Sequence, residues 1–130
     1  MPTAKADLAR LTKLGNTAKA DRMLEAFPCH ASGMEVVLHC SEFTCLCPLT
    51  GQPDYATIDI MYVPGKSVVE SKSMKLYLET YRNVGIFHEH LAVDIGKDFM
   101  KYIHPKKLAV TVRFHVRGGI AIDATWKHGY

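Results

Sequence analysis

The sequence predicts an α+β domain with the element order β-β-α-α-β-β. Residues alternate in polarity with period two in two stretches that flank the middle of the chain. Between them, hydrophobic residues recur every three or four positions, which is typical of amphipathic helices. Glycine and proline separate these segments. We therefore expect a four-stranded antiparallel sheet with both helices on one of its faces.

The first two strands are predicted from two alternating runs, at residues 34–41 and 56–63. The segment between them, 48–54, is rich in proline and glycine and predicts a wide hairpin connection. Pro64 and Gly65 end the second strand. Before the first strand, apolar residues at helical spacing predict some helix within residues 3–27: Leu8, Leu11 and Leu14, and then Met23, Leu24 and Phe27. An arm that packs on a neighbouring molecule is an equally good interpretation of this segment.

Two helices and a second hairpin follow. The first helix ends at Asn83–Gly85 and the second before Pro105. Residues 108–116 and 120–126 alternate again around Gly118 and Gly119, which predicts a tight turn. The apolar faces of the two helices comprise Met74, Tyr77, Leu78 and Tyr81, and then Phe87, Leu91, Ile95, Phe99 and Tyr102.

Composition places the chain in an ordinary class of protein. Of its 130 residues, 48% are hydrophobic and 22% charged, which suits one globular domain. A net charge of +3 is too small to argue for nucleic-acid binding, and no apolar segment approaches the ~20 residues of a membrane span. No secretion signal is recognisable, so we expect a cytoplasmic protein with reduced thiols. We divide the chain into an N-terminal arm, 1–26, and one catalytic domain, 27–130.

The polar cluster at residues 42–54 places a thiol at the end of a strand, before a proline and a glycine loop. Cys47 precedes Pro48, and Asp54 follows seven positions later, so its carboxyl could exchange a proton with a group bound at the thiol. Cys45 and Cys47 lie two positions apart, so an extended strand would point both to the same side. Both could equally be small buried residues beside a turn.

Two further clusters lie at predicted helix starts. In the first, Ser71 or Ser73 could cap the helix, and its N-terminus with two lysines could hold a phosphate. In the second, His88 could move protons and Glu89 could bind a pair of N–H groups. Both clusters could also be solvated helix ends, and Arg117, at a predicted hairpin tip, means little alone.

Taken together, these motifs resemble one family. The strings EFTCLCPLTGQPD, ESKSMKLYLETYRN, FHEH and VRGGIAID resemble the nitrile reductases of queuosine biosynthesis, the QueF family, in order and spacing. The resemblance implies the single-module form of the tunnelling fold. It also implies reduction of 7-cyano-7-deazaguanine to 7-aminomethyl-7-deazaguanine with two NADPH, as a step of tRNA modification. Relatives form rings with active sites between subunits, so a homo-oligomer is expected here.

The resemblance also implies roles for individual residues. Cys47 would be the nucleophile that forms a covalent thioimide, Asp54 the proton donor, and His88 a neighbour of the catalytic centre. Asp54 would have to be protonated, which we expect of a carboxyl in an apolar pocket. No catalytic metal is implied. The substrate-binding residues would be Glu89, Glu70 and Ser71, and the cofactor-binding residues Ser71, Lys72, Ser73, Lys75, Tyr77 and Arg117.

Three positions depart from the family pattern: Cys45 replaces a serine, His90 an acidic residue, and Val116 a proline. Three other functions stay open. A cofactor-independent amidinotransferase-like relative would use the same cysteine on the same base in tRNA. A zinc-dependent cyclohydrolase of the same fold would need Cys45, Cys47 and His88 as ligands. A binding protein without activity would leave the thiol and the acid without a shared task.

Overall fold

The computed structural model describes Lys5 and residues 20–130, and over these residues the chain forms six strands and two helices. The main sheet is antiparallel, with the strand order β2-β3-β5-β6, and both helices pack on one of its faces. The predicted fold class is therefore confirmed. A two-stranded sheet, β1-β4, adds to the predicted order. The bounds are β1 Ala26–Pro28, β2 Val36–Leu46, β3 Pro53–Val63, β4 Ser67–Val69, α1 Ser71–Glu79, α2 His88–Ile103, β5 Lys107–Arg117 and β6 Ile120–His128.

The core lies between the main sheet and the helices. Alternate residues of β3 and β5 are buried, as period-two patterning requires. Most residues of the two predicted apolar faces are buried; for example, the rings of Tyr62 on β3 and Phe99 on α2 meet edge to face at 4.9 Å. Phe87, by contrast, precedes α2 as its N-cap and is 49% exposed. Within the described part of the chain, no helix is long and apolar enough to cross a membrane.

Strand β2 contains a β-bulge that the sequence pattern did not reveal. Cys40 pairs with Ile58 but Phe43 pairs with Ala56, so two residues of β2 face one residue of β3. The extra residue shifts the alternation by one position. Leu38 and Cys40 point toward the helices before the bulge, whereas Phe43 and Cys45 are buried after it. The strand therefore continues to Leu46, beyond the alternating run at 34–41.

The prediction of helix near Met23, Leu24 and Phe27 is wrong. Residues 26–28 form β1, which pairs with β4, and Leu24 is buried in the core. Pro28 explains the difference, because a proline disfavours helical backbone at the residue before it. Lys5, in the same predicted segment, is helical. The other residues of the segment before residue 20 lie outside the described part of the chain.

The second hairpin forms as predicted. Arg117 pairs with Ile120 across a two-residue turn, and Gly118 and Gly119 have φ angles of +58° and +80°. Positive φ at both positions is what a type I′ turn requires, and glycine adopts it without steric cost. The turn keeps Arg117 at the end of β5.

The face of the main sheet that the helices leave uncovered carries a polar cluster across its strands. The Asp59 carboxylate accepts hydrogen bonds from His39 and Arg113, which lie on the two strands flanking β3. Beside them, the hydroxyls of Thr111 and Thr125 are 3.0 Å apart across β5 and β6. Cross-strand polar pairs of this kind let a sheet face remain in contact with water.

Helix α2 approaches β6 closely through Gly96. A Cβ atom placed on Gly96 would overlap the Trp126 ring and come within 2.7 Å of its Cδ2 atom. The glycine therefore creates the space that the indole of Trp126 occupies, which brings the helix against the edge strand of the sheet.

We predict that Gly96→Ala lowers the free energy of unfolding by about 1–3 kcal/mol, because overpacking displaces the indole. Urea denaturation measures this. Lys97→Ala, at the exposed next position of the same helix, is the control and should change stability by less than about 0.5 kcal/mol. In a Trp126→Ala background, Gly96→Ala should cost much less. A Gly96→Ala protein as stable as the unmodified chain would contradict this packing.

Candidate active site

One end of the main sheet collects polar side chains from separate elements. Strands β2 and β5 run toward this end and β3 starts there, which places Cys47, Asp54 and Arg117 side by side. Helix α2 begins at the same place, with His88 as its first residue. The catalytic residues that the sequence predicted are therefore brought together within one chain.

The loop after β2 fixes the position of Cys47. Its N–H donates to the Gln52 carbonyl at 2.8 Å, and Gly51 N–H donates to the Cys47 carbonyl at 2.9 Å. Gly51 has a φ of +71°, which suits glycine in so tight a loop. The loop turns the chain back so that the Thr50 hydroxyl and the N–H groups of Thr50 and Leu49 hydrogen-bond the Cys47 sulfur.

These hydrogen bonds lower the pKa of Cys47 to about 7. The Thr50 hydroxyl contributes most, followed by the two backbone N–H groups, and the Arg117 guanidinium contributes less. A hydrogen bond to the charged form favours that form, so a large fraction of Cys47 is thiolate at neutral pH. The sequence analysis did not identify Thr50 as a functional residue. The only feature that could have indicated it is a hydroxyl side chain three positions after the cysteine, in a loop that contains glycine.

Cys45 has the opposite environment. It is fully buried, at 0% exposure, because the bulge in β2 directs it toward the helices. Burial raises the pKa of Cys45 to about 11, and the nearby Asp54 carboxylate adds to the effect. Cys45 is therefore a neutral core thiol, whereas Cys47 is partly exposed in the loop.

Asp54 is only 2% exposed, but its surroundings are not the apolar pocket that the sequence analysis expected. Arg117 Nη1 donates to one carboxylate oxygen at 2.5 Å, and His88 Nε2 lies 3.3 Å from the other. The expectation is wrong because β5 ends beside Asp54 and the hairpin turn holds Arg117 there. The guanidinium supplies a counter-charge for a buried carboxylate.

The imidazole of His88 lies flat against the ring of Phe114, with centroids 3.5 Å apart and planes 4° from parallel. This contact keeps Nε2 directed at Asp54. Glu89 follows in the first turn of α2, where the helix dipole favours a carboxylate. Its side chain is exposed and makes no hydrogen bond with any residue that the structure describes, so it can accept hydrogen bonds from a ligand.

The remaining predicted residues lie elsewhere in the chain. Helix α1 follows β4, where Val69 N–H donates to the Tyr62 hydroxyl at 3.2 Å. Tyr62 lies eight positions after Asp54 on β3, which corresponds to about 26 Å along a strand. The start of α1 is therefore near the opposite end of the sheet from Cys47.

The N-terminus of α1 is capped by Glu70, not by the predicted Ser71 or Ser73. The Glu70 carboxylate accepts from the N–H groups of Lys72 at 2.8 Å and Ser73 at 2.7 Å. The Ser73 hydroxyl is also engaged: it donates to the Glu70 carbonyl and accepts from Glu25 N–H. These helix N–H groups are therefore occupied, and a phosphate would have to bind the lysine side chains instead.

Lys72 and Lys75 are exposed, three positions apart on α1, and neither forms a salt bridge within the described part of the chain. Lys75 and the exposed Ser71 border a cavity of about 420 Å³ between α1 and β2. Because ammonium and hydroxyl groups suit an anionic ligand beside such a cavity, these residues fit the phosphates of a dinucleotide.

Tyr77, which the resemblance places among the cofactor residues, lies in the core. It is fully buried, and its hydroxyl donates to Asp98 at 2.6 Å and lies 2.9 Å from the Tyr81 hydroxyl. Burial raises the pKa of Tyr77, so the hydroxyl stays protonated. The helix spacing that places Tyr77 on the apolar face explains this core position.

We find no metal-binding group among residues 20–130, that is, no three His, Cys, Asp or Glu side chains placed to hold one metal ion. Cys45, Cys47 and His88, the ligand set considered from the sequence, thus do not form such a group.

The fold and the strand-end cluster define a small α+β domain with a nucleophilic thiol beside a buried acid. A family model described as QueF-like protein matches residues 53–130. An NADPH-dependent 7-cyano-7-deazaguanine reductase of Frankia casuarinae is 58% identical over 116 residues, covering 88% of this chain and 93% of that protein. The chain belongs to the QueF family.

Two other relatives extend the comparison. The NADPH-dependent 7-cyano-7-deazaguanine reductase of Syntrophus aciditrophicus is 50% identical over 122 residues, which is 92% of this chain and 87% of that protein. A crystal structure of the archaeosine synthase QueF-Like, in its apo form, superposes with a TM-score of 0.72 at 25% identity. It covers 77% of this chain and 98% of its own, so both kinds of enzyme share this fold.

We predict that Thr50→Ala raises the pKa of Cys47, because it removes the largest stabiliser of the thiolate. A rise of one pKa unit would lower the thiolate fraction at pH 7 roughly fivefold. The rate of iodoacetamide alkylation of Cys47, measured against pH, reports the change. Thr50→Ser retains the hydroxyl and is the matched control. An unchanged midpoint in Thr50→Ala would show that the hydroxyl does not stabilise the thiolate.

Proposed function

We propose that this chain reduces the nitrile 7-cyano-7-deazaguanine to 7-aminomethyl-7-deazaguanine with two NADPH, through a thioimide on Cys47, as a step of queuosine tRNA modification. The observation that carries the proposal is the pairing of a low-pKa thiol with a buried acid at the end of β2. The 58% identity to a protein with that reductase activity supports it.

The chemistry of a nitrile explains the need for this thiol. A nitrile carbon is a weak electrophile, and a thiolate is the side-chain nucleophile best suited to attack it at neutral pH without a metal. The Cys47 sulfur bonds to the carbon, one π bond of the nitrile breaks, and its electron pair moves to nitrogen. That nitrogen must then take a proton to give the neutral thioimide.

Asp54 and His88 are the groups that can supply this proton. The Asp54 carboxyl lies on the strand next to the nucleophile, and His88 Nε2 is 3.3 Å from it. A proton held between these two groups can be delivered by Asp54 and replaced through His88, which is only partly buried. His88 could serve in the same way in the later steps that form the amine.

Glu89 is the proposed substrate anchor. A carboxylate can accept two N–H bonds from the amino group and ring N–H of a deazaguanine, which would orient the nitrile over Cys47. Glu70 and Ser71 would contribute from α1. The Glu70 oxygens already accept one N–H bond each as the helix cap, and each retains a further lone pair for a ligand.

The cofactor would be held by the N-terminal half of α1. Lys72 and Lys75 would bind its phosphates, with Ser71 beside them, while Ser73 would act mainly by holding the helix start. When bound, NADPH supplies the hydride. Two hydrides are needed for each nitrile, so the residues around Cys47 must keep the intermediate from water between them.

The two groups of residues would meet between subunits. In one chain, α1 begins at the end of the sheet opposite Cys47, so the proposed cofactor residues are too far away to serve their own thiol. We therefore propose a homo-oligomer, in which Cys47, Asp54, His88 and Glu89 of one subunit face α1 of the next. The uncovered sheet edges of β2 and β6 support assembly of this kind.

The similarity to the archaeosine synthase keeps a second function in view: addition to the same base in tRNA, without a cofactor. Sequence identity favours the reductase, because the chain is 58% identical to the reductase of Frankia casuarinae and 25% identical to the archaeosine synthase. The lysines of α1, which are exposed and form no salt bridge with any described residue, also favour it, since a cofactor-independent enzyme has no need of a phosphate site. A cyclohydrolase is disfavoured because Cys45, Cys47 and His88 do not come together as a metal-binding group in the described part of the chain.

We predict that incubation with the cyano-base alone adds the mass of one substrate to each chain. Cys47→Ala should abolish both this adduct and NADPH oxidation. Cys45→Ser is the matched control, because it changes a thiol of the same motif that is buried in the core. It should keep the adduct and turnover at some cost in stability. Adduct mapped to Cys45 by peptide mass spectrometry would contradict the assignment.

We predict complementation between two inactive variants. One carries Cys47→Ala; the other carries Lys72→Ala with Lys75→Ala. If each site is shared between two subunits, mixed oligomers contain some sites in which both halves are intact. With equal amounts mixed at random, this is roughly a quarter of all sites, so NADPH oxidation should recover to roughly a quarter of the unmodified rate. A mixture of Cys47→Ala with Asp54→Ala is the control and should stay inactive, because both changes lie in the same half-site. Failure of the first mixture to recover would argue for a site within one chain.

A further inference from the structure

Arg117 contacts the acid of the strand-end cluster and lies beside its nucleophile. Its Nη1 donates to Asp54 at 2.5 Å, and the guanidinium is near enough to the Cys47 sulfur to help lower the pKa of that thiol. The two partners differ in exposure: the Asp54 side chain is 1% exposed, and that of Arg117 is 46% exposed. The resemblance implied only that Arg117 binds the cofactor.

The charges around this guanidinium can be counted from the elements that meet there. The loop supplies Cys47, β2 supplies the neutral thiol of Cys45, β3 supplies Asp54, and α2 supplies His88. Arg117, from β5, is the one permanently charged group of the five. With Cys47 as thiolate and Asp54 as carboxylate, a single positive charge faces two negative charges.

The addition step requires an unusual combination: a thiolate on Cys47 and, close to it, one proton for the nitrile nitrogen. We propose that Arg117 is a positioning residue for this step: its guanidinium holds the buried Asp54 carboxyl in place and stabilises the neighbouring Cys47 as a thiolate. The inference rests on the proposed function for its substrate, but the contacts themselves lie within the free protein.

Removing the positive charge of Arg117 would change the protonation of its neighbours in a direction that can be predicted. Without this charge, the Cys47 thiolate is less stable, so this thiol keeps its proton to higher pH. The Asp54 carboxyl would also lose the cation that compensates its buried charge. Adduct formation and alkylation of Cys47 should therefore move to more alkaline pH together. A residue that only binds cofactor would move neither of them in the absence of NADPH.

The test measures two rates against pH, both without NADPH: adduct formation with the cyano-base, and iodoacetamide alkylation of Cys47. In Arg117→Gln, we expect both profiles to shift upward by about half a unit to one unit, so that both rates fall roughly three- to tenfold at pH 6.5. Arg117→Lys, which keeps the charge, should bring both profiles most of the way back to those of the unmodified protein.

Arg113→Gln is the matched control. It removes the same charge from the same strand, but Arg113 pairs with Asp59 on the face of the sheet away from the helices. It should leave both profiles in place. Circular dichroism establishes whether each variant is folded. If Arg117→Gln does not fold, Arg117→Lys replaces it in the test, and a smaller upward shift of both pH profiles is then expected.

The outcomes separate this inference from the proposed function. Unchanged profiles in Arg117→Gln, or equal shifts in Arg113→Gln, would overturn the role of Arg117. If the unmodified protein formed no adduct, the proposed function would fail. The alkylation profiles would still decide whether Arg117 stabilises the thiolate.

Discussion

The β-bulge in β2 is the constraint on which the active site depends. One extra residue at Ser41–Glu42 reverses the alternation of the strand, and this reversal buries Cys45. Without it, the same strand would turn Thr44 and Leu46 toward the helices and expose Cys45 on the polar face. The bulge thus separates two thiols that lie two positions apart and leaves Cys47 as the one at the loop.

The loop after β2 then fixes the position and the surroundings of Cys47. Because β2 ends at Leu46, the chain can turn at Pro48–Gln52 and hydrogen-bond the Cys47 sulfur, while β3 starts at once with the acid. Two strands further on, the glycine turn after β5 holds Arg117 against Asp54. Charge compensation, not an apolar pocket, therefore governs the buried carboxyl. The chemistry at this end of the sheet is that of an acid in contact with an imidazole and a guanidinium, beside a thiol.

Sequence patterns predicted the main sheet, both helices and the glycine turn because each has a clear period or a residue with special backbone freedom. They did not predict the bulge, since one extra residue in an alternating run looks like the end of a strand. They also missed the Glu70 cap and the Arg117–Asp54 pair, which depend on which chain ends meet in space. The motif residues of the site were recognisable from the sequence. For Tyr77 the motif indicated a cofactor role, whereas the helix spacing indicated the buried position that the structure shows.

The central claim is that the fold makes Cys47 a thiolate near neutral pH and keeps Cys45 a neutral core thiol. The most direct measurement is alkylation of the unmodified, folded protein across pH 5–10, with each cysteine peptide quantified by mass spectrometry. The account predicts a midpoint of about pH 7 for Cys47 and no modification of Cys45 until the chain is unfolded. Alkylation of Cys45 in step with Cys47, or a Cys47 midpoint near pH 9, would contradict it.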